Sequence, residues 1–296
     1  MRSTLLHLRV PFSYFLLPIY LFAVGISPNF TEDSLLWTFV IIHLFLYPAS
    51  NGYNSYFDKD EKSIGGLKNP PPVNKSLYYT SLGLDSIAIL LACWKVSFLF
   101  ALMILIYGLI SKAYSHPIIR IKKYPLVGWL IVGVFQGFFT FVTSYVGINH
   151  FDIEQLMHAK VLLPAALTSV MLLGNYPMTQ VYQHEEDAKH GDKTLSMMLG
   201  IRGTFIFVQI IFAIVSLGFI LYFNNFLSYI YSLAFVFALA PVIVFFMLWF
   251  VEVWRDPSKA NFSNTMWLNF ISATCLNGFF IYFFLSNSHM WNYLMS

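Results

Sequence analysis

The sequence predicts an all-α, polytopic membrane protein with nine transmembrane helices arranged around a central cavity, forming one domain over 1–296. The first observation is composition, because 58% of the residues are hydrophobic and only 10% are charged, whereas a soluble domain is about 25% charged. The second is the number of long apolar runs, and the third is how Lys and Arg are distributed between them. The net charge of only +3 gives no reason to expect nucleic-acid binding.

Nine apolar runs are predicted to span the membrane, because each approaches the roughly 20 mostly apolar residues that a transmembrane helix needs. Their centres lie at 10–26, 34–53, 77–94, 96–111, 126–147, 160–180, 204–223, 229–251 and 266–286. If the N-terminus is cytoplasmic, all 17 Lys and Arg residues except Lys95 and Lys160 fall in cytoplasmic segments. The positive-inside rule therefore predicts an integral protein, expected in a bacterial inner membrane, whose loops after spans two and six face the cytoplasm.

Two of the predicted spans carry a polar stripe, whereas the others are plain Leu, Ile, Phe and Val. In both spans the polar residues recur at helical spacing, so they share one helix face. The second span carries His43, Tyr47, Asn51, Asn54 and Asp58, and the sixth carries Asn175, Thr179, Gln183 and Asp187. Polar groups in a membrane helix are costly unless they face a cavity or a partner. Because each stripe ends in clustered acids and a glycine-containing basic loop, two related halves are predicted, about 1–124 and 125–296.

The acids that end the two stripes predict a metal–diphosphate site at one membrane face. Carboxylate and amide oxygens are hard ligands that suit Mg²⁺, which keeps some water and bridges to substrate phosphates. Basic residues on the same predicted side could contact phosphate, and the candidates are Lys68, Arg120, Lys122 and Lys193. A cavity between the helices below this site would accommodate a long hydrocarbon tail. The expected ligand is therefore a lipid diphosphate.

The segment "NSYFDKDEK" from Asn54, and the segment "QHEEDAKHGDKTL" from Gln183, resemble the two Asp-rich motifs of the UbiA superfamily of intramembrane prenyltransferases. The positions that match the family pattern are Asn54, Asp58, Asp187, Gly191, Thr194 and Leu195. The resemblance extends over nearly the whole chain in topology. It implies Mg²⁺-dependent transfer of a prenyl chain from an isoprenoid diphosphate to a hydrophobic acceptor, expected to be aromatic, within the membrane.

The resemblance also implies roles for individual residues. Asp58 and Asp187 are expected to be catalytic through the metal–diphosphate complex. The expected metal ligands are Asn54, Asp58, Gln183, Glu186 and Asp187. The segment after the fourth span adds a tyrosine to the basic candidates, so the expected diphosphate contacts are Lys68, Tyr114, Arg120, Lys122 and Lys193.

Three positions depart from the family pattern, which places acids where this chain has Ser55, Lys62 and Gln183. Asp60, Glu61 and Glu186 could replace the lost ligands, and Lys62 could instead lie against the diphosphate. These departures keep a second hypothesis open, a non-catalytic protein that binds a prenyl diphosphate or lipid on the same scaffold. A transporter is a third, although the charged residues gather at one face rather than at the midplane.

Three polar residues inside spans allow two interpretations each. Asp85 either faces the cavity or is hydrogen-bonded between packed helices. Gln136 either contacts the acceptor or bridges helices, and His43 is either a base near the acceptor or a helix–helix contact. The sequence favours the packing interpretation for His43 and, slightly, for Gln136.

Overall fold

A computed structural model of the chain describes residues 2–288, and these residues fold into a bundle of α-helices without a β-strand. Eight helices are long and apolar enough to cross a membrane, and a bent pair of helices supplies a ninth span. The bent pair is α1 (Arg2–Phe15) and α2 (Leu17–Ile26). The remaining helices are α3 (Glu32–Asp58), α4 (Lys75–Lys95), α5 (Phe98–Ser115), α6 (Pro125–Asn149), α7 (Ala159–Gln180), α8 (His184–Lys189), α9 (Leu195–Phe226), α10 (Tyr229–Arg255) and α11 (Phe262–Asn287). The predicted all-α membrane fold is therefore confirmed.

The first span is bent by 44° between α1 and α2. The α-helical turns of α1 end at Leu8, and Arg9 adopts the left-handed conformation before a 3₁₀ segment over Val10–Phe15. A proline stands near the start of the 3₁₀ segment and another near the start of α2. Proline lacks a backbone N–H and clashes with the preceding turn, so a straight helix cannot continue through these positions.

Aromatic residues fill one half of the bundle. Phe22 on α2 is fully buried, and its ring lies 4.7 Å from the ring of Phe280 on α11 and 5.3 Å from that of Phe141 on α6. Phe219 and Phe223 of α9 complete this cluster. Paired rings at these separations add to the free energy gained by burying apolar surface. These buried rings pack the centre of the bundle at this end.

Two helices that border the open space contain π-helical segments, Val40–Leu46 in α3 and Gly133–Phe139 in α6. A π-helical turn contains an extra residue, and such turns are frequent at functional sites. The segment in α6 brings Gly137 against the backbone of α7, where an added Cβ would lie 2.4 Å from the Cα of Ser169. Glycine is required there because the helices approach so closely, and this contact fixes the spacing of two helices that line the cavity.

Candidate functional site

A cavity of about 240 Å³ lies at the open end of the bundle, where the segments 59–74, 116–124 and 181–194 connect the helices. We call this end the motif end. The residues that line the cavity include Arg9, Asn51, Asn54, Asp58, Asp60, Tyr107, Tyr114, Lys122, Gln136, Tyr176, Thr179, Gln183, Asp187 and Asp192. A smaller pocket of about 80 Å³ shares several of these residues and is also lined by Tyr47, Asn175 and Asn269. Except for His43, the residues of both predicted polar stripes therefore line these two pockets.

The first motif places its acid at the last turn of α3. The helix ends at Asp58 because Lys59 takes the left-handed conformation, with φ of 52°. The amide of Asn54 donates 2.7 Å to Oδ2 of Asp58 and 2.9 Å to Oγ of Ser115 on α5. The carboxylate of Asp58 is buried, with only 3% of its surface exposed. Asn54 thus orients the carboxylate and ties α3 to α5.

Two cations neutralise Asp58 from the segment that follows α5. Nζ of Lys122 lies 2.6 Å from Oδ2 of Asp58, and Nη1 of Arg120 lies 3.4 Å from Oδ1. Arg120 also makes a bidentate contact to Asp192, at 2.8 Å for each of its two hydrogen bonds. Burial opposes the charged form of Lys122, but Asp58 and Asp192 outweigh it and raise the pKa of Lys122. The result is a buried network of two acids and two bases.

The backbone of Arg120 is left-handed, with φ of 43°. A non-glycine residue in this conformation costs of order 1–3 kcal/mol, and such residues cluster at functional sites where the surroundings enforce them. The bidentate contact to Asp192 supplies that enforcement. The strained turn is what directs the guanidinium into the acid network.

The second motif follows α7 and continues into the short helix α8. Its acid, Asp187, lines the cavity, and burial raises its pKa from the ordinary 3.8 to about 7. Burial likewise raises the pKa of Asp60 to about 6, with the nearby Asp58 acting in the same direction. Among the described residues, Asp187 forms no ion pair with a Lys or Arg. These two acids are the ones whose charge an added cation would stabilise most.

Gly191 allows the chain to turn between Asp187 and Asp192. Its φ is +72°, a conformation open to glycine at little cost. The N–H of Asp192 donates 3.0 Å to the carbonyl of Asp187, which closes the turn. Asp192 is thereby directed inward, with 2% of its surface exposed.

The loops that follow the two stripes contact one another across the mouth of the cavity. The N–H of Glu61 donates 3.2 Å to the carboxylate of Glu186, and the Gln183 amide donates 3.2 Å to the carbonyl of Ser63. Lys62 pairs with Glu185 at the surface. Lys62 therefore contacts the opposite loop, instead of lying in the cavity where a diphosphate would bind.

Most of the predicted site residues meet at this cavity, namely Asn54, Asp58, Tyr114, Lys122, Gln183 and Asp187, with Arg120 held against them through Asp58. Besides Arg120, three predicted residues do not line it. Lys68 and Lys193 are exposed, and Glu186 is buried but bonded to the N–H of Glu61 and to Lys189, 3.3 Å away. Lys193 points outward because its neighbours Asp192 and Thr194 take the two inward positions. The proposed diphosphate contacts of Lys68 and Lys193 gain no support from their position, whereas Glu186 lies beside Asp60 and His190 in a cluster that could hold a metal ion.

Sequence reasoning missed two charged residues that line the cavity, Asp192 and Arg9. Asp192 stands at a position of the second motif where the family pattern specifies no residue, and its only signal was an acid directly after Gly191. Arg9 was counted only as a positive charge near the first span. Arg9 lies at the break between the α-helical turns of α1 and the 3₁₀ segment, which the apolar run concealed.

The three residues with two interpretations have distinct surroundings. Asp85 on α4 forms an ion pair with Lys112 on α5, and it does not line the cavity. His43 is buried among aromatic rings, stacked at 4.8 Å on Phe39, and it lines neither pocket. Gln136 lies in the other π-helical segment and lines both pockets.

The cavity's donors suit a hard divalent cation. Asp58, Asp60, Asp187 and Asp192 supply carboxylate oxygens, and Asn54 and Gln183 supply amide oxygens. Such oxygens are the ligands that Mg²⁺ prefers, and Mg²⁺ needs only one or two carboxylates when a phosphate completes its shell. Next to them, ligand atoms of Asp60, Glu186 and His190 lie within 4.8 Å of one another. The residues present therefore fit a magnesium–diphosphate complex.

A bundle of apolar helices that encloses a cavity lined by acids and bases defines an integral membrane protein with a charged internal cavity. The model of the UbiA prenyltransferase family matches residues 13–273, and the chain belongs to this family. A comparison with curated protein sequences finds no match.

Solved structures of UbiA homologues share the fold. One from Archaeoglobus fulgidus, bound to GPP and Mg²⁺, is 18% identical with a TM-score of 0.67, and the match covers 95% of this chain and 99% of that chain. An apo homologue from Aeropyrum pernix K1 is 16% identical with a TM-score of 0.70, covering 92% of this chain and 98% of that chain. At these identities the likeness concerns the fold.

Proposed function

We propose that the protein is a Mg²⁺-dependent prenyltransferase, which moves a prenyl chain from an isoprenoid diphosphate to an acceptor inside the membrane. One observation carries the proposal: acids of both motifs, Asp58 and Asp187, line one cavity together with Lys122, while Arg120 adjoins it. The Archaeoglobus fulgidus homologues of the same fold bind GPP or DMAPP with Mg²⁺. Family membership supports the reaction class, and the donor set supports the cofactor.

In the proposed mechanism, Asn54, Asp58, Gln183 and Asp187 hold the metal–diphosphate complex. Arg120 and Lys122 contact the phosphate oxygens when the substrate binds, and they exchange part of their contact with Asp58 and Asp192 for the substrate. Bound Mg²⁺ supplies neutralisation of the negative charge on the diphosphate. Because Arg120 and Lys122 are already fixed by two acids, they need little reorganisation to stabilise the leaving group.

The transfer breaks the bond between the allylic C1 and the diphosphate oxygen, and both electrons leave with the diphosphate. A nucleophilic atom of the acceptor bonds to C1 and loses its proton. We propose an aromatic acceptor that reaches this carbon from the smaller pocket. Gln136, Asn175 and Thr179 line that pocket and offer uncharged hydrogen-bonding groups. Tyr114 is joined to Tyr176 by a hydrogen bond between their hydroxyls, and both side chains line the larger cavity.

The fold and charge pattern also support a proposed orientation. Nearly all Lys and Arg residues lie at the motif end, so we propose that this end faces the cytoplasm, with the protein in a bacterial inner membrane. The diphosphate substrate would then reach the cavity from the cytoplasmic side. The two polar stripes, one in each half of the chain, support our proposal of two related halves, about 1–124 and 125–296.

The proposal is tested with the purified full chain in nanodiscs, geranyl diphosphate, Mg²⁺ and a panel of aromatic acceptors. The wild type should release diphosphate and form a prenylated product. Asp58→Asn and Asp187→Asn should each lower the turnover rate by about 100-fold or more, because each removes a charge that faces the metal–diphosphate complex. Asp33→Asn, an exposed acid at the opposite end of α3, is the matched control and should leave the rate unchanged.

The same experiment distinguishes the prenyltransferase from the alternative, a non-catalytic binding protein. That alternative is favoured by Ser55 and Lys62, which stand where the family pattern has acids, and by the contact of Lys62 with Glu185 outside the cavity. Tight, Mg²⁺-dependent binding of geranyl diphosphate without product for any acceptor would support the alternative and refute catalysis. Absence of both binding and turnover would refute both.

A further inference from the structure

The smaller pocket, of about 80 Å³, is lined by uncharged side chains. Among residues 2–288, no Lys, Arg, His, Asp or Glu lines it, whereas four carboxylates and two cations line the larger cavity. The two spaces share wall residues, among them Tyr107, Gln136 and Thr179, so they adjoin one another. The lining therefore changes from charged to neutral between the place proposed for the diphosphate and the place proposed for the acceptor.

Three amide side chains from three different helices line the smaller pocket, Gln136 of α6, Asn175 of α7 and Asn269 of α11. Nδ2 of Asn175 donates 3.4 Å to Oδ1 of Asn269, which is long for a hydrogen bond of this kind. Each amide carries both a donor and an acceptor, and this contact uses only one atom of each. The oxygen of Asn175 and the NH₂ group of Asn269 are thus an acceptor and a donor for a ligand. Because Asn269 is only 5% exposed, its amide is costly to bury unless it is hydrogen-bonded.

Aromatic rings form much of the remaining wall of the smaller pocket. Phe12 and Phe15 line it with their rings 5.1 Å apart and nearly perpendicular, and Tyr47 and Tyr107 line it with their rings 6.1 Å apart. Rings favour offset-stacked and edge-to-face contacts with other rings. The wall therefore suits a flat ring whose polar substituents reach the amides.

Two π-helical segments adjoin the smaller pocket. Gln136 lies within the segment Gly133–Phe139 of α6, and Tyr47 directly follows the segment Val40–Leu46 of α3. Such segments are rare and occur frequently at functional sites. The same irregularity beside one pocket in two helices supports binding of a ligand there.

An anionic group would be costly to place in the smaller pocket. A carboxylate there would lose its water without gaining a cation, because Arg9 and Lys122 line only the larger cavity. Lys122 is also held by Asp58 and Asp192, at 2.6 and 3.4 Å. The acids of the larger cavity, and the diphosphate proposed to bind beside them, would repel a second anion. A neutral hydroxyl or carbonyl group avoids both costs and can be hydrogen-bonded by the amides.

We propose that the acceptor is an uncharged aromatic ring with hydroxyl or carbonyl groups, and that Asn175 and Asn269 bind those groups. This inference rests on the proposed function, and it names the class of acceptor that the site selects. It excludes acceptors that must place a carboxylate or phosphate in the smaller pocket. The competing explanation is that the two asparagines only join α7 to α11.

Two probes of nearly the same shape separate the effect of charge from that of size. At neutral pH 4-hydroxybenzamide is uncharged, whereas 4-hydroxybenzoate is an anion. Binding of each is measured by calorimetry on the nanodisc-embedded full chain loaded with Mg²⁺ and inorganic diphosphate, so this measurement does not depend on turnover. The wild type should bind the amide about 100-fold more tightly or better, because the carboxylate would be a buried charge without a partner. Product formation with geranyl diphosphate should follow the same order.

Asn269→Leu tests the asparagine contact, because it removes the polar atoms and keeps a similar volume. Affinity for 4-hydroxybenzamide should fall by about 10- to 100-fold, while affinity for inorganic diphosphate stays unchanged, since Asn269 lines only the smaller pocket. Asn277→Leu is the matched control and should leave both affinities unchanged. Asn277 is a buried asparagine on the same helix, 5% exposed, and it lines neither pocket. If the asparagines only join helices, Asn269→Leu lowers the unfolding midpoint and leaves the affinity for the ring unchanged.

Three results overturn the inference. The first is binding of 4-hydroxybenzoate as tight as that of 4-hydroxybenzamide. The second is a wild type that binds diphosphate but not 4-hydroxybenzamide, and the third is unchanged affinity for that amide in Asn269→Leu. In each case the prenyltransferase proposal stands if product forms with another acceptor. A wild type that binds no diphosphate refutes both proposals, and binding of the ring as expected without product from geranyl diphosphate refutes only catalysis.

Discussion

Asp192→Asn should destabilise the ligand-free protein strongly, although the substitution changes almost no volume. Asp192 is 2% exposed and accepts two hydrogen bonds of 2.8 Å from Arg120, with Nζ of Lys122 at 3.4 Å. Removing one partner of a buried ion pair costs about 3–5 kcal/mol, because the remaining charge stays desolvated. Asp58 still faces both cations, so we expect the lower end of this range, about 3 kcal/mol.

The assay is thermal unfolding of the ligand-free protein in a fixed detergent. In a chain somewhat shorter than this one, each kcal/mol of lost stability lowers the unfolding midpoint by about 2–4 °C, so the midpoint of Asp192→Asn should fall by about 6–12 °C. Glu185→Gln is the control, since it removes an acid from an ion pair whose side chains are 54% and 79% exposed. Solvent screens exposed pairs, so its midpoint should move far less than that of Asp192→Asn.

Equal midpoints for the two variants would refute the reasoning, because they would show that the network of Asp58, Asp192, Arg120 and Lys122 contributes no more than a surface pair. Geranyl diphosphate should restore part of the stability lost in Asp192→Asn, since its phosphates can neutralise the charges of Arg120 and Lys122 that Asp192 no longer balances. Ligand present at about 100 times its Kd stabilises the bound state by about 2.7 kcal/mol. If geranyl diphosphate does not raise the unfolding midpoint of Asp192→Asn, Asp192 is required for binding.

Two further predictions concern acidity and helix spacing. Because the pKa of Asp187 is raised from 3.8 to about 7, the folded protein keeps a proton that the unfolded chain releases, so stability should fall as pH rises from about 4 to about 7. Asp187→Asn should flatten this part of the curve of unfolding midpoint against pH, and an unchanged slope would contradict the assignment. Gly137→Ala should lower the unfolding midpoint and the affinity for geranyl diphosphate together, because an added Cβ would lie 2.4 Å from the Cα of Ser169. Gly278→Ala is its control, because a Cβ added there meets nothing within 4 Å.

The sequence by itself determined the membrane fold and the principal acids of the cavity. Apolar runs are local and set the spans, and the spacing of Tyr47, Asn51, Asn54 and Asp58 identified one face of α3 before any partner was known. The sequence also favoured a packing role for His43, which the structure places in an aromatic cluster, but it did not reveal that this part of α3 is π-helical. Helical periodicity assumes a regular helix, and a local insertion of one residue per turn is not visible in it.

Only the tertiary structure decided which charges meet across the cavity. Nothing in the local sequence distinguishes Lys122, which contacts Asp58, from Lys68 and Lys193, which point outward. Arg9 reaches the carbonyls of Asn51 and Gly65, which lie 42 and 56 residues further along the chain. The physical reason is that the hydrophobic effect fixes which segments enter the membrane, whereas ion pairs depend on distances of a few ångströms between segments far apart in sequence.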